Sequence, residues 1–253
     1  MTPAEIARFE PPADYLAGRI ILITGANKGI GRALALAAGR CGATVVLSGR
    51  SEKKLEKVYD ALVAAGCPTP ALMPLDLENA LAGNYDAVTT AIGAEFGRLD
   101  GLVHNAGLLL TRSPIEHYDV PTWCRILQVN LTATFALTQA CLPLLTKSTD
   151  ASVILTSSSV GRRGRAYWGA YSVSKAGIEN LSEVLAHEYE GNDAIRFNTV
   201  NPGATRTDMR ALAYPAEDAT TLKGPEDILG AFLWLLGPGS RGRSGGRYDC
   251  QVG

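Results

Sequence analysis

The 253-residue sequence predicts an α/β fold, a central parallel sheet flanked by helices on both faces, and three observations predict it. Short apolar runs recur along the chain, longer segments with helical spacing separate them, and Gly, Asp, Asn or Ser bounds each run. Such alternation implies parallel strands, because each crossover helix must bury its apolar stripe against the sheet.

The strand runs are Ile20 to Ile23, Thr44 to Leu47, Leu99 to Val103, Ser152 to Leu155 and Ile195 to Val200. A further strand is expected ahead of Asp76. Arg32 to Arg40 and Trp168 to Glu188 read as helices. There is no internal repeat and no dividing linker, so residues 1–253 are expected to form a single domain, a length that open α/β sheets reach around one core.

With 46% hydrophobic and 19% charged residues and a formal net charge of -1, the composition suits a globular enzyme and disfavours a disordered chain or a general nucleic-acid binder. Cys41, Cys67, Cys124, Cys141 and Cys250 form no C-x-x-C pair and no Cys/His cluster with zinc spacing, so no metal site is expected. Reduced thiols point to the cytoplasm. Glu5, Glu10 and Asp14 precede any apolar run, the reverse of a secretory signal, and no run approaches the ~20 apolar residues of a membrane span.

In open parallel sheets, ligands bind beyond the carboxyl ends of the strands. After the first strand comes Thr24-Gly25-Ala26-Asn27-Lys28-Gly29-Ile30-Gly31, leading into a helix. Glycines let such a turn approach a pyrophosphate closely, and free amides at the helix start supply donors at the positive end of the dipole. After the second strand, Arg50 occupies the place where a carboxylate would bind the ribose hydroxyls of NAD, and an Arg there accommodates a 2′-phosphate. Lys28 adds a second cation, so the pattern favours NADP(H), although both charges also suit a solvated surface.

Tyr171 and Lys175 are four residues apart in a helical segment and so share one face. A lysine ammonium about 4 to 5 Å from the phenol would favour its ionised form by about 3 to 4 kcal/mol at an effective dielectric of ~20, before desolvation opposes it, which is expected to draw the tyrosine toward a useful range. Thr156-Ser157-Ser158-Ser159 ends the fifth strand, placing hydroxyls in the same crevice.

The T-G-x-x-x-G-x-G spacing and the Tyr-x-x-x-Lys pair resemble the classical short-chain dehydrogenase/reductase family, and the resemblance spans nearly the whole chain. It implies a doubly wound Rossmann fold binding NADP(H) through Gly25, Asn27, Lys28, Gly29, Ile30, Gly31 and Arg50. It selects Ser158, thirteen residues before Tyr171, as the catalytic serine, and Asn130 as a fourth catalytic position that orients a water near Lys175. An Asn in an apolar helical segment also suits a packing or helix-distorting role. Asp76 and Leu77 would lie by the adenine, and Asn105, Ala106 and Gly107 beneath the cofactor. Pro202, Gly203, Thr205 and Thr207 match the segment contacting the nicotinamide end. The pieces HNAGLLL, SSSVGRRGRA, NPGATRTDMR and LWLLG resemble the bacterial YciK-type oxidoreductases more narrowly.

The implied reaction is hydride transfer between the nicotinamide and a carbonyl or alcohol substrate. Tyr171 is the acid/base, Ser158 holds the substrate oxygen, and Lys175 holds the ribose and tunes the phenol. A 3-oxoacyl thioester reductase and a non-catalytic NADP(H)-binding sensor are the rival readings. Arg162, Arg163 and Arg165 either meet an anionic group or, as preferred, form a solvated loop. The segment Thr207 to Asp227 is expected to cover the substrate. Family resemblance also implies a homodimer or homotetramer, joined through the helices carrying Asn130 and Tyr171 and the strand around Tyr248.

Overall fold

The computed structural model describes residues 1–252. Seven strands build one parallel sheet: β1 Ile20–Thr24, β2 Thr44–Gly49, β3 Ala71–Pro74, β4 Gly101–His104, β5 Ala151–Thr156, β6 Ile195–Asn201 and β7 Arg247–Asp249. Ten α-helices are interspersed: α1 Pro3–Ala7, α2 Gly29–Arg40, α3 Glu52–Ala64, α4 Ala82–Phe96, α5 Val120–Leu127, α6 Ala133–Leu145, α7 Ser159–Arg162, α8 Gly169–Glu188, α9 Asp208–Ala213 and α10 Gly230–Leu236. Among the described residues no helix is long and apolar enough to cross a membrane.

The strand order is β3-β2-β1-β4-β5-β6-β7. Chain direction across the sheet reverses between β1 and β4, and this switch point opens the crevice in which doubly wound folds bind ligands. The register places Ile21 opposite Val45 on one side and Gly101 on the other.

Each strand supplies both layers of the core. Ile21 and Ile23 pack with Leu34 of α2 and Phe232 of α10, whereas Ile20 and Leu22 pack with Val88 of α4, Leu137 of α6 and Ile178 of α8. Successive side chains of a strand point to opposite faces, so a strand covered on both sides is mostly apolar, although β6 also buries Arg196, Asn198 and Thr199. The edge strand β3 is only partly buried, which is why it lacks a comparable run.

Helix faces follow the same logic. α3 follows Ser51 and buries Leu55, Val58 and Leu62 at helical spacing. α8 buries Tyr171, Ser174, Lys175, Ile178 and Ser182, so its apolar and chemical faces are continuous. α2 begins at Gly29, ahead of the expected Arg32, because the glycine turn leads directly into it. Between α5 and α6 the helix widens into a π turn at Gln128–Thr132, with Asn130 fully buried. At the opposite, amino-terminal edge of the sheet, buried Asp150 pairs with Arg19 at 2.8 Å and with Arg196. That ionic clasp ties β1, β5 and β6 together away from the crevice.

Candidate active site

The turn after β1 is shaped by close approach. Gly25 has φ +65°, a left-handed conformation that glycine adopts without strain. At Gly31 a Cβ would lie 2.3 Å from the Gly25 carbonyl oxygen and 2.4 Å from Asn105 Nδ2, so only hydrogen allows α2 to seat against the turn. The first α2 bond runs from Arg32 N to the Lys28 carbonyl, and no side chain caps the helix. The amides of Gly29, Ile30 and Gly31 therefore have no helical acceptor. Asn27 faces Gly49 at the end of β2, which brings the turn beside Arg50.

Asn105 and Ala106 fasten this turn to β4. Their backbone amides donate to Thr24 Oγ1 at 3.0 and 3.1 Å, and Asn105 Nδ2 donates to the Thr24 carbonyl at 3.1 Å. Asp76 accepts from the Glu78 amide and from Asn79 Nδ2, which orders the loop after β3. Neighbouring Leu77 accepts at its carbonyl from Gln128.

The two expected phosphate cations differ in availability. Lys28 Nζ pairs with Asp208 at 2.7 Å, linking the turn to the start of α9. Arg50 is exposed and lies 3.8 Å from Glu78, whose other oxygen takes a 2.7 Å bond from Arg125. The Glu78 charge is thus already compensated, and Arg50 retains its own.

Beyond the end of β5, Ser158 stands at the start of α7, and Tyr171 and Lys175 face it from one side of α8. Lys175 Nζ donates to the Thr156 carbonyl at 2.7 Å and lies 5.6 Å from the Tyr171 ring centre. A Cβ on Gly107 would sit 3.7 Å from that nitrogen, so the loop after β4 covers the lysine closely. Asn130 Oδ1 accepts from the Leu108 amide at 2.7 Å. Its Nδ2 donates to the Leu108 carbonyl and, at 3.1 Å, to Ser174 Oγ, which itself donates to the Tyr171 carbonyl. Asn130 therefore couples the loop over Lys175 to the helix carrying Tyr171.

Burial corrects the expectation that Lys175 draws the phenol toward neutrality. Desolvation raises Tyr171 to about 12, opposed by the Ser158 hydroxyl. Desolvation also lowers Lys175 to about 8. A buried pair pays for both charges, and the ammonium is aimed at the Thr156 carbonyl. Behind them, buried His104 is lowered to about 3 by desolvation and by the nearby Lys175, and its Nε2 is 2.8 Å from Thr138 Oγ1.

A cavity of about 260 Å³ opens beside Ser158, lined by Arg165, Trp168, Gly203, Arg210 and Tyr214 among others. Pro202 and Thr205 are buried in the loop after β6, where Gln251 donates to the Pro202 and Ala204 carbonyls at 2.9 Å. Thr207 caps α9 by accepting from the Arg210 amide at 3.2 Å. Met209 and Tyr214 pack against the apolar cluster that contains Tyr171, whereas Leu212 faces solvent. A larger groove of about 460 Å³ lies at the far sheet edge, lined by Met73, Ile92 and Phe96, and has none of these catalytic-type groups.

This arrangement, with hydroxyl, phenol and ammonium at the strand ends beside an uncapped glycine turn, falls within the region matched by the short chain dehydrogenase family model, residues 19–218. The chain belongs to the short-chain dehydrogenase/reductase family. It is an oxidoreductase of that family. The oxidoreductase YciK of Escherichia coli K12 is 46% identical over 245 residues, covering 97% of this chain and 96% of that protein. A short chain dehydrogenase of Pseudomonas syringae superposes with a TM-score of 0.95 at 49% identity, covering 96% of this chain and 98% of that one. Another, from Escherichia coli CFT073 and complexed with NADPH, has a TM-score of 0.93 at 47% identity, covering 96% of this chain and all (100%) of that one.

Several parts of the dehydrogenase site carry no local sequence signal. Asp208 is 180 residues from its partner Lys28. Trp168 packs on Tyr171 at 5.6 Å between ring centres, and Arg112 lies over both Trp168 and Tyr214 at 5.0 and 4.8 Å. Arg162 is neither a solvated loop residue nor an anion ligand: it forms bonds of 2.9 Å to both Asp249 oxygens and one of 3.2 Å to Glu179.

Proposed function

We propose that the protein is an NADPH-preferring oxidoreductase that interconverts a small carbonyl compound and its alcohol, with Tyr171 as the acid/base. The observation that carries this reading is the meeting of the Ser158 hydroxyl, the Tyr171 phenol and the Lys175 ammonium beyond the end of β5, with Ser158 lining a small cavity.

The residues present fit a dinucleotide phosphate. The free amides of Gly29, Ile30 and Gly31 suit the pyrophosphate, and exposed Arg50 suits the 2′-phosphate. Asp76, Leu77 and Asn105 to Gly107 would hold the adenine and central portions, and Pro202, Gly203, Thr205 and Thr207 the nicotinamide end. When bound, the cofactor supplies or accepts the hydride. A structural relative complexed with NADPH supports the same choice.

For reduction, the Ser158 hydroxyl donates a hydrogen bond to the carbonyl oxygen, which gains charge as its carbon is reduced. Tyr171, held protonated by burial, then donates its proton to that oxygen. Lys175 below pH about 8 carries a charge that stabilises the phenolate left behind, and it holds the nicotinamide ribose. Asn130 keeps the loop after β4 and α8 in register, and is suited to order a water beside Lys175.

We read residues 1–253 as one domain acting in the cytoplasm as a homodimer or homotetramer. Exposed Phe135 on α6 and Val173 and Val184 on α8 support that association.

NADPH and NADH binding, followed by oxidation of each against aldehydes, ketones and diketones, tests the reading. Tyr171→Phe should keep NADPH binding and lose turnover by about 10²- to 10⁴-fold. Full activity in that variant would overturn the assignment of Tyr171.

A further inference from the structure

We infer that the substrate is an anionic carbonyl compound whose carboxylate is bound by Arg165, an exposed residue lining the same cavity as Ser158. The inference rests on the proposed hydride-transfer site and adds the chemical class of its substrate.

The cavity beside Ser158 is lined by two guanidinium groups, Arg165 and Arg210, and by no carboxylate. Their states differ. Arg210 is committed: it binds both Glu217 oxygens at 2.6 and 2.5 Å and lies 3.9 Å over the Tyr214 ring. Asp249, bonded to the lining residue Asn201 at 2.7 Å, is committed too, through two bonds from Arg162. Arg165 makes no ion pair among the described residues. It is therefore the uncompensated charge at this cavity.

The walls restrict what can meet that charge. Trp168 and Tyr214 stand 6.0 Å apart between ring centres and are held by Arg112, which also donates to the Ala213 carbonyl. Gly203, assigned to the nicotinamide end, lines the same cavity of about 260 Å³, which favours a compact substrate beside it. A carbonyl held by Ser158 would share its cavity with Arg165, whose planar donors match a carboxylate. A neutral substrate would leave this charge without a function in recognition.

Paired substrates test this: benzoylformate against methyl benzoylformate, and acetoacetate against methyl acetoacetate, each with NADPH. The expected result is kcat/KM for the acid roughly tenfold or more above that for the ester. Arg165→Gln should abolish the preference through KM with kcat kept, Arg165→Lys should restore part of it, and Arg163→Gln, away from the cavity, should leave it unchanged. Titration with benzoate, followed by tryptophan fluorescence with NADP⁺ present, reads the same contact without turnover. Benzoate binding that weakens roughly tenfold in Arg165→Gln supports the inference even if every carbonyl tested is inert, a result that would instead count against the hydride-transfer reading. Equal turnover of acid and ester, or benzoate binding indifferent to Arg165, would overturn the inference.

Discussion

Arg50 and Lys28 carry the same charge, yet their surroundings assign them different work. Asp208 occupies Lys28 at 2.7 Å, whereas Arg125 has already taken the stronger contact with Glu78 and leaves Arg50 free for a phosphate. Arg50→Asp should therefore weaken NADPH binding by about 1.5 to 3 kcal/mol, roughly 10- to 100-fold, and leave NADH binding nearly unchanged. Fluorescence titration of both nucleotides measures this, and unchanged selectivity removes Arg50 from the phosphate site. His104 offers a pH test. Its value of about 3 is depressed, so the unfolded chain binds the extra proton first and folded stability is lost as pH falls from 6.5 toward 3. Wild type should lose about 1.4 kcal/mol per pH unit relative to His104→Gln across that window. Urea denaturation at several pH values reads the difference, and parallel curves would show that burial does not keep His104 neutral. The Tyr171 and Lys175 pair was legible because helical spacing alone puts both on one face. Ser158 was legible only through the family pattern, since four consecutive hydroxyl residues surround that position. The partners Asp208, Glu78 and Arg112 were not legible, because each reaches the site through tertiary contact.

At the scale of elements, the site depends on how closely α2, α8 and the π turn approach the strand ends. Gly31→Ala places a methyl group against the Gly25 carbonyl and Asn105 Nδ2. Neither is a flexible chain end free to swing away, since Asn105 is bonded to Thr24. The variant should lose about 1 to 3 kcal/mol of stability and much of its nucleotide binding, both visible in melting curves with and without NADPH. An unchanged melt with normal NADPH stabilisation would contradict the close packing. Strands β1, β2 and β5 could be read as largely apolar runs because both of their faces are covered, and β6 from Ile195, Phe197 and Val200 among buried polar residues. Edge strands β3 and β7 could not, being partly exposed, and were expected only from neighbouring residues. The π turn was legible only as the helix-distorting alternative for Asn130 within an apolar segment. Its widened ladder is a matter of backbone register, which burying Val129 and Asn130 does not by itself specify.

For the whole molecule, the remaining question is how α6 and α8 cover their outer faces. Phe135, Val173 and Val184 are between 44% and 48% exposed, although these helices bury their other faces deeply in the sheet. A Cβ on Gly177 would lie 2.7 Å from Leu131 Cδ2, so α8 and the π turn that leads into α6 already touch. Val173 and Val184 are eleven residues apart, close to three helical turns, and therefore line one stripe with Gly177 between them. An isologous pairing of two copies would bury this stripe against its own image, satisfying both chains with one interface. The same pairing would brace α8 from outside, behind Tyr171 and Lys175. Phe135→Glu combined with Val184→Glu should then convert a dimer or tetramer to a monomer in size-exclusion light scattering. It should also remove the rise of melting temperature with protein concentration that linked association produces. Turnover per chain should fall with association, because α8 loses its support. A wild-type protein that is monomeric at micromolar concentration, with a melting temperature independent of dilution, would rule out this face as an interface and leave α8 supported by the sheet alone.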